Sequence, residues 1–363
     1  MNTDRLIETF SRYAACDSES GKEGRFAALI EGELRALGMT VVRDEVGEVC
    51  GSNGFNVYGS LDGTGEPILF SAHMDTVPPG VGIEAVVADG VIRSKGDTIL
   101  GADNKASIAA VVEAVKMRQE AGEAHRPVEV LFSVCEEIGL LGSKHADYSR
   151  ITSKEALVLD SAEMGAIFNE APAMAEIFVE ITGKSSHAAV SPEKGIHAIK
   201  AAAAAIGEIP CGHVDAYTVL NVANFLAPGK SNVVPEKASF DIDLRSFDEE
   251  VMAGHIARIE EAVKSACAPL GAAYTIRVER KTDVLFVSPE RPLVTRLRQV
   301  YGELGVPSRI EKTYGGSDAT WLFANGIDAV NVGIGMADIH STDEHITVAD
   351  LEQTTRLVYG MMG

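Results

Sequence analysis

Between about Ala175 and Arg280 the chain exchanges one order of elements for another, and that change restricts its possible folds more than any other feature. Upstream, apolar runs alternate with helical stretches. Residues 4–38 read as one or two helices, followed by strand-like segments at Thr40–Arg43, Val57–Ser60 and Ile68–Ala72. A loop at Gly101–Ala106 opens a helix to about Glu120, with Ile108, Val111, Val112 and Val115 as its apolar stripe. Further strands read over Pro127–Val134 and Ala156–Leu159. Such alternation predicts an α/β sheet with much parallel pairing. In the altered region the order becomes strand (Glu176–Thr182), helix (Gly195–Ile206), two strands (Tyr217–Phe225 and Ala238–Phe247), helix (Glu249–Pro269) and strand (Tyr274–Arg280). That βαββαβ order is the split ferredoxin-like unit, a compact domain in itself. After Leu285 the first rhythm returns, with helices over Arg291–Leu304 and Val348–Met361 around a strand at Ala329–Gly333. The expectation is a two-domain α/β protein. Residues 1–174 and 285–363 form one α/β domain with a central, mostly parallel sheet, and residues 175–284 are a ferredoxin-like insertion.

Composition removes several classes of function. A formal net charge of −21 over 363 residues argues against nucleic acid or an anionic membrane as partner. No apolar run approaches the length of a membrane span, and Met1–Arg5 does not begin a secretory signal. The five cysteines, Cys16, Cys50, Cys135, Cys211 and Cys267, are scattered and odd in number, without a CxxC pair. They read as reduced thiols of a cytoplasmic protein, and not as a disulfide frame or a thiolate zinc site.

Chemistry-bearing residues recur at strand ends. His73 and Asp75 follow the strand at Ile68–Ala72, and their spacing of two places them on one side of an extended chain. Asp103 opens a helix, Glu136 and Glu137 follow a strand, Asp160 ends one, and His340 follows the strand that ends at Gly333. In an open α/β sheet ligands bind at the carboxyl ends of the strands, so these groups can converge on one edge. The set is chemically coherent for two Zn²⁺ ions, with Co²⁺ or Mn²⁺ able to substitute. Asp103, Glu137 and Asp160 supply three negative charges, and His73 and His340 supply one neutral nitrogen per metal. An Asp103 bridge would hold the ions about 3.5 Å apart. Glu136, beside Glu137 but pointing elsewhere, is then free to act as general base.

With these residues in place the chain resembles the M20 family of metallopeptidases, most closely its peptidase T-like (tripeptidase) branch. The matching motifs are Ser71-Ala-His-Met-Asp-Thr-Val77, Gly96-Asp-Thr-Ile-Leu-Gly-Ala-Asp-Asn-Lys105, Cys135-Glu-Glu-Ile-Gly139, Leu159-Asp160, Gly183-Lys-Ser-Ser-His187 and Ile339-His340. The resemblance implies His73, Asp103, Glu137, Asp160 and His340 as ligands of two metals, Asp103 bridging. It implies Asp75 as the carboxylate that orients His73 and Glu136 as the base. It also implies a catalytic domain with an inserted lid that brings His187, Asn232 and Arg245 to the substrate, His187 at the oxyanion and Arg245 on a carboxylate. The Gly315-Gly316-Ser317-Asp318 turn matches the family's Gly-Gly loop, with Gly316 lining the substrate site.

The activity this resemblance implies is that of an exopeptidase that uses metal-activated water to remove the N-terminal residue of short peptides, tripeptides foremost. An N-acyl amino-acid deacylase or carboxypeptidase would share the same ligands, and an inactive binding protein on the same scaffold is a third alternative. A homodimer through the lid is implied by the resemblance alone. Asn104 stands where many relatives have a second aspartate. His345 is a rival to His340 as ligand, and His197 reads as a surface or packing residue. His125, His145, His213 and His255 show no partner in the sequence and read as surface residues.

Overall fold

The computed structural model describes residues 1–363 and divides into two compact units, Met1–Glu170 with Leu285–Gly363, and Ala171–Val284. The first unit is built on a long sheet. Across it lie Thr40–Asp44, Asn56–Leu61, Val128–Ser133, Ile68–His73, Glu155–Ser161, Asp328–Gly333, Ala166–Ala171 and Leu285–Phe286, with Arg309–Lys312 paired to Ala166–Ala171. The four central strands run parallel, and antiparallel strands extend the sheet on both sides. Every residue of Ile68–His73 and Val128–Ser133 is buried. Strands covered on both faces become continuous apolar runs, and this is why they can be read from the sequence.

The helix Ala102–Ala121 packs on Ile68–His73 and Glu155–Ser161 and is itself covered by Thr3–Ala14 and Val348–Met361. Its burial differs from the expected apolar stripe. Ala102 to Val115 are all buried, because helices cover the side turned away from the sheet. Small alanines let those neighbours approach on every side. The helix ends at Gly122, whose φ of 66° supplies the left-handed cap. Strands at Ala85–Ala88, Val91–Ser94, Met336–Ala337 and His345–Thr347 form a separate antiparallel sheet, which sequence patterning does not reveal.

One buried charge shows how the strand edges are tied down. Glu129, in the middle of Val128–Ser133, accepts hydrogen bonds from Tyr58 Oη, Thr152 N and Oγ1, and Ser153 N at 2.7–3.0 Å. Burial opposes its charge, but the donors at Ser153 and Thr152 prevail and hold its carboxyl below the usual glutamate value. A depressed folded pKa gives stability that is complete above the unfolded value of about 4.3 and is lost as pH falls through the folded one. Glu129→Gln is therefore expected to cost about 1–3 kcal/mol near neutral pH. Urea unfolding at a series of pH values should show that gap closing below about pH 4. A gap that stays constant into acid would refute the assignment.

The second unit has a sheet in the order Gly212–His213, Thr218–Leu226, Lys237–Ser246, Ala173–Thr182 and Ala273–Thr282, antiparallel throughout. This is the ferredoxin-like βαββαβ arrangement. In Lys237–Ser246 buried residues alternate with more exposed ones, so Phe240, Ile242 and Leu244 face one way while Asp241, Asp243 and Arg245 face the other. The helices Ala198–Glu208 and Glu249–Cys267 cover the apolar face, through Ala198, Ala201, Ala202 and Ala205 on one and Met252, Ile259 and Val263 on the other. Asp248 caps the second helix by accepting from Glu250 N and Val251 N. His255 corrects its reading as a surface residue. It is 5 % exposed, and its Nε2 lies 2.7 Å from Asp215 Oδ2, a partner 40 residues away that no local pattern reveals. No helix is long and apolar enough to cross a membrane.

Candidate metal centre

The parallel strands place chemistry at one edge of the first unit's sheet. His73 is the last residue of Ile68–His73, Asp160 lies near the end of Glu155–Ser161, and Glu136 and Glu137 follow Val128–Ser133. Asp103 lies in the first turn of Ala102–Ala121, where its own backbone (φ −79°, ψ 99°) and that of Asn104 are not helical. The strand Asp328–Gly333 can close in because Gly333 has no side chain. A Cβ there would come 1.7 Å from Glu163 O. At this irregular register Asn331 replaces ladder bonds with its side chain, accepting from Asp160 N at 3.0 Å and donating to Asp160 O at 2.8 Å.

Asp103 is the hub of the cluster. Its Oδ1 lies 2.9 Å from His73 Nε2, and its Oδ2 lies 3.3 Å from His340 Nε2. His73 Nε2 is also 3.6 Å from Asp160 Oδ1, and His340 Nε2 is 3.0 Å from Glu137. The five expected ligands thus form two histidine–carboxylate groups that share one aspartate. Glu136 is close as well: His73, Glu136 and Asp160 offer donor atoms within 4.8 Å of one another, as do His73, Asp103 and Glu137. His345, the rival ligand, has Nδ1 3.0 Å from Asp343 O and 3.5 Å from Asp338 Oδ2.

Crowded charge dominates the electrostatics. Burial and the neighbouring Asp103 push the Asp160 carboxyl up to about 7. Burial, with Asp103 again adding to it, pushes Glu137 up to about 7. Glu136 is raised well above the carboxylate range by burial and then by Asp160. Asp103 itself is held low, because His340 and His73 outweigh its burial. Contact with Asp103, opposed by burial, lifts His340 to about 9. Four carboxyl groups, Asp103, Glu136, Glu137 and Asp160, converge on two imidazoles, His73 and His340. Divalent cations fit such a donor set, since they neutralise the carboxylates and use nitrogen and oxygen ligands together.

A run of captured N–H groups shapes the glutamate loop. Val134 N donates to Asn56 Oδ1 at 3.1 Å and Cys135 N to Glu23 Oε1 at 3.1 Å. Glu136 N and Glu137 N both donate to the Asp75 carboxylate, at 3.0 and 3.2 Å. Four consecutive amides are thus held by side chains from three distant segments. They support Cys135 in the left-handed region (φ 54°), a costly conformation for a residue with a Cβ.

Asp75 has a second task beside the one expected. His73 Nδ1 lies 2.9 Å from the Asp75 carbonyl oxygen and 3.4 Å from its carboxylate. Both face the ring and direct Nε2 toward Asp103 and Asp160, while the same carboxylate also orders Glu136 and Glu137 and accepts from Ser20 Oγ at 2.8 Å. Asp75→Asn would turn an amide NH₂ toward one of those N–H groups. Metal affinity or turnover is expected to drop about 10–100-fold, the usual cost of losing an outer partner, with circular dichroism little changed and the melting point modestly lower. Wild-type affinity and turnover would remove Asp75 from the centre.

Asn104 and Asp318 complete the surroundings. Asn104, fully buried, donates from Nδ2 to Asp160 Oδ1 at 2.7 Å, a bond that an ionised aspartate could not make. Asp318, in the Gly-Gly turn, is buried and accepts from Ser133 Oγ and Ser143 Oγ at 2.5 Å, so it anchors the turn. Gly316 in that turn is exposed. In the second unit, His187 and Asn232 are neighbours, since Ala188 N donates to Asn232 O at 3.0 Å and His187 pairs with Val233. Both are exposed, and Arg245 pairs with Asp243 at 2.9 Å. Sequence reasoning missed Asn56, Ser20, Glu23 and Glu344 as supports, because their partners here are mostly backbone amides and leave no motif.

The model of peptidase family M20/M25/M40 matches residues 69–363. The chain is 33 % identical over its whole length to the uncharacterized protein YqjE of Bacillus subtilis, covering 98 % of that protein. In structure it is similar to aminopeptidase PepT from Bacillus cereus, at TM-score 0.95 and 33 % identity over 100 % of this chain and 98 % of that one. A tripeptidase from Staphylococcus aureus gives TM-score 0.96 at 29 % identity, with the same coverage of 100 % and 98 %.

Proposed function

The chain belongs to peptidase family M20/M25/M40, and from that premise we propose that it is a two-metal aminopeptidase, zinc-dependent, which removes the N-terminal residue of short peptides, tripeptides above all. The observation that carries the metal reading is Asp103, which meets His73 through one oxygen at 2.9 Å and His340 through the other at 3.3 Å. His73 and Asp160 would hold one cation, His340 and Glu137 the other, and Asp103 would hold both. Bound there, the cations would polarise the scissile carbonyl and make water more acidic at neutral pH.

The chain's own residues then supply binding and proton transfer. Glu136 takes a proton from the attacking water and returns it to the leaving amine. Its buried setting beside Asp160 favours a carboxyl that can hold a proton between those steps. Asp75 keeps the Glu136 and Glu137 backbone in place through their N–H groups. Arg245 would grip the substrate's terminal carboxylate with its fork of donors, and His187, supported by Asn232, would stabilise the oxyanion. Whole-length likeness to an aminopeptidase and a tripeptidase supports the substrate assignment. Free cysteines, four of the five buried, suit a reducing cytoplasm.

A chelator-stripped sample, reloaded with Zn²⁺, Co²⁺ or Mn²⁺, tests the reading. Ala-Ala-Ala should be hydrolysed only after reloading, with the N-terminal alanine released and longer peptides cleaved poorly. Activity confined to N-acetyl amino acids would make the protein a deacylase, and release of the C-terminal residue would make it a carboxypeptidase.

A further inference from the structure

Glu344 is 1 % exposed, lies outside the ligand set, and has a carboxylate wholly occupied by main chain from a distant segment. Its Oε2 accepts from Leu100 N at 2.7 Å and Gly101 N at 2.8 Å, and its Oε1 accepts from Asp103 N at 2.9 Å. Those amides need an external acceptor. The helix they lead into has Gly101 at its N-cap, without a side chain to cap it, and its first turn is broken at Asp103 and Asn104. A carboxylate from elsewhere in the chain can satisfy all three N–H groups and also complements the positive helix end.

Glu344 is itself firmly placed. Its N–H donates to Ser341 O at 3.2 Å, and the next residues, His345–Thr347, pair with Val91–Ser94. It also comes four positions after His340. One carboxylate therefore clamps the peptide of Asp103 from the loop that carries His340, linking two ligands 237 residues apart in the chain.

We infer that Glu344 is a positioning residue of the metal centre, holding the Asp103 main chain so that its two carboxylate oxygens reach His73 and His340 together. It touches neither substrate nor metal and acts only through Asp103. This rests on the two-metal reading above, and the test separates the two.

Glu344→Gln preserves volume but must turn an NH₂ toward at least one of the three amides. Metal-free wild type and variant are titrated with Co²⁺, and affinity, stoichiometry and visible spectrum are recorded beside the melting point of the metal-free proteins. The expected result is two sites in wild type. In the variant, affinity falls about 10–100-fold and the Co²⁺ spectrum changes, while the metal-free protein stays folded with a modestly lower melting point. Unchanged affinity and spectrum, whatever the melting point, would overturn the inference. No Co²⁺ binding by wild type would instead overturn the two-metal reading. Should the variant fail to fold, hydrogen exchange on metal-free wild type decides. The amides of Leu100, Gly101 and Asp103 should be strongly protected, and exchange at the rate of free amides would reject Glu344 as their clamp.

Discussion

Asp103→Ala is expected to abolish measurable tripeptide hydrolysis and to leave neither metal position with its full set of ligands. Removing an outer partner typically costs about 10–100-fold in affinity, and loss of a shared ligand should exceed that at both positions. The geometry gives the reason: both histidines face Asp103, through separate oxygens at 2.9 and 3.3 Å. No other carboxylate comes within 4.0 Å of both rings: Asp160 lies 3.6 Å from His73, and Glu137 lies 3.0 Å from His340. Metal content after equilibrium dialysis, read beside initial rates on Ala-Ala-Ala, checks this. Two tightly held metals in the variant would show that the bridge is misassigned. The scaffold should survive, because removing this carboxylate also relieves repulsion on Asp160 and Glu137.

Glu136→Gln separates the base from the ligands. General acid–base catalysis contributes about 10²–10⁴-fold, equivalent to about 2.7–5.4 kcal/mol of barrier. The expected variant keeps both metals and near-normal KM while kcat falls by that factor. The measurement matters because Glu136 stands close enough to His73 and Asp160 to serve as a ligand instead. Loss of one metal equivalent would assign it that role, and an unchanged kcat would remove it from the chemistry. Glutamine cannot accept a proton at neutral pH yet retains the main-chain N–H that binds Asp75. Failure should therefore be chemical and not architectural.

Residue patterning shows how much of this is legible in the sequence. Ile68–His73 and Val128–Ser133 stand out as apolar runs because helices and neighbouring strands bury both faces. Short partners such as Ala85–Ala88, Val91–Ser94 and Arg309–Lys312 carry mixed exposure, and no two-residue period marks them. The ligands are readable because their chemistry belongs to side chains at strand ends. Their supports are not. Glu344 sits next to Asp343 and belongs to no motif, and its partners are amides, identical at every position. Asp75 is only half legible: spacing places it beside His73, but its hold on the glutamate loop leaves no pattern. His255 escapes notice because its partner, Asp215, is close only in the folded chain.

The inserted unit, Ala171–Val284, has a consequence for biosynthesis. About 180 residues separate Asp160 from His340 in the chain. At a synthesis rate of about 5–20 residues per second, the last ligand leaves the ribosome roughly 10–40 s after the other four. The insertion is made within that interval and can fold as a unit once Val284 has emerged, while the strand Asp328–Gly333, which fills the parallel sheet beside Glu155–Ser161, does not yet exist. The nascent chain therefore presents His73, Asp103, Glu137 and Asp160 before the element that closes the centre. On the two-metal proposal, stable loading of the second cation would wait until translation is nearly finished.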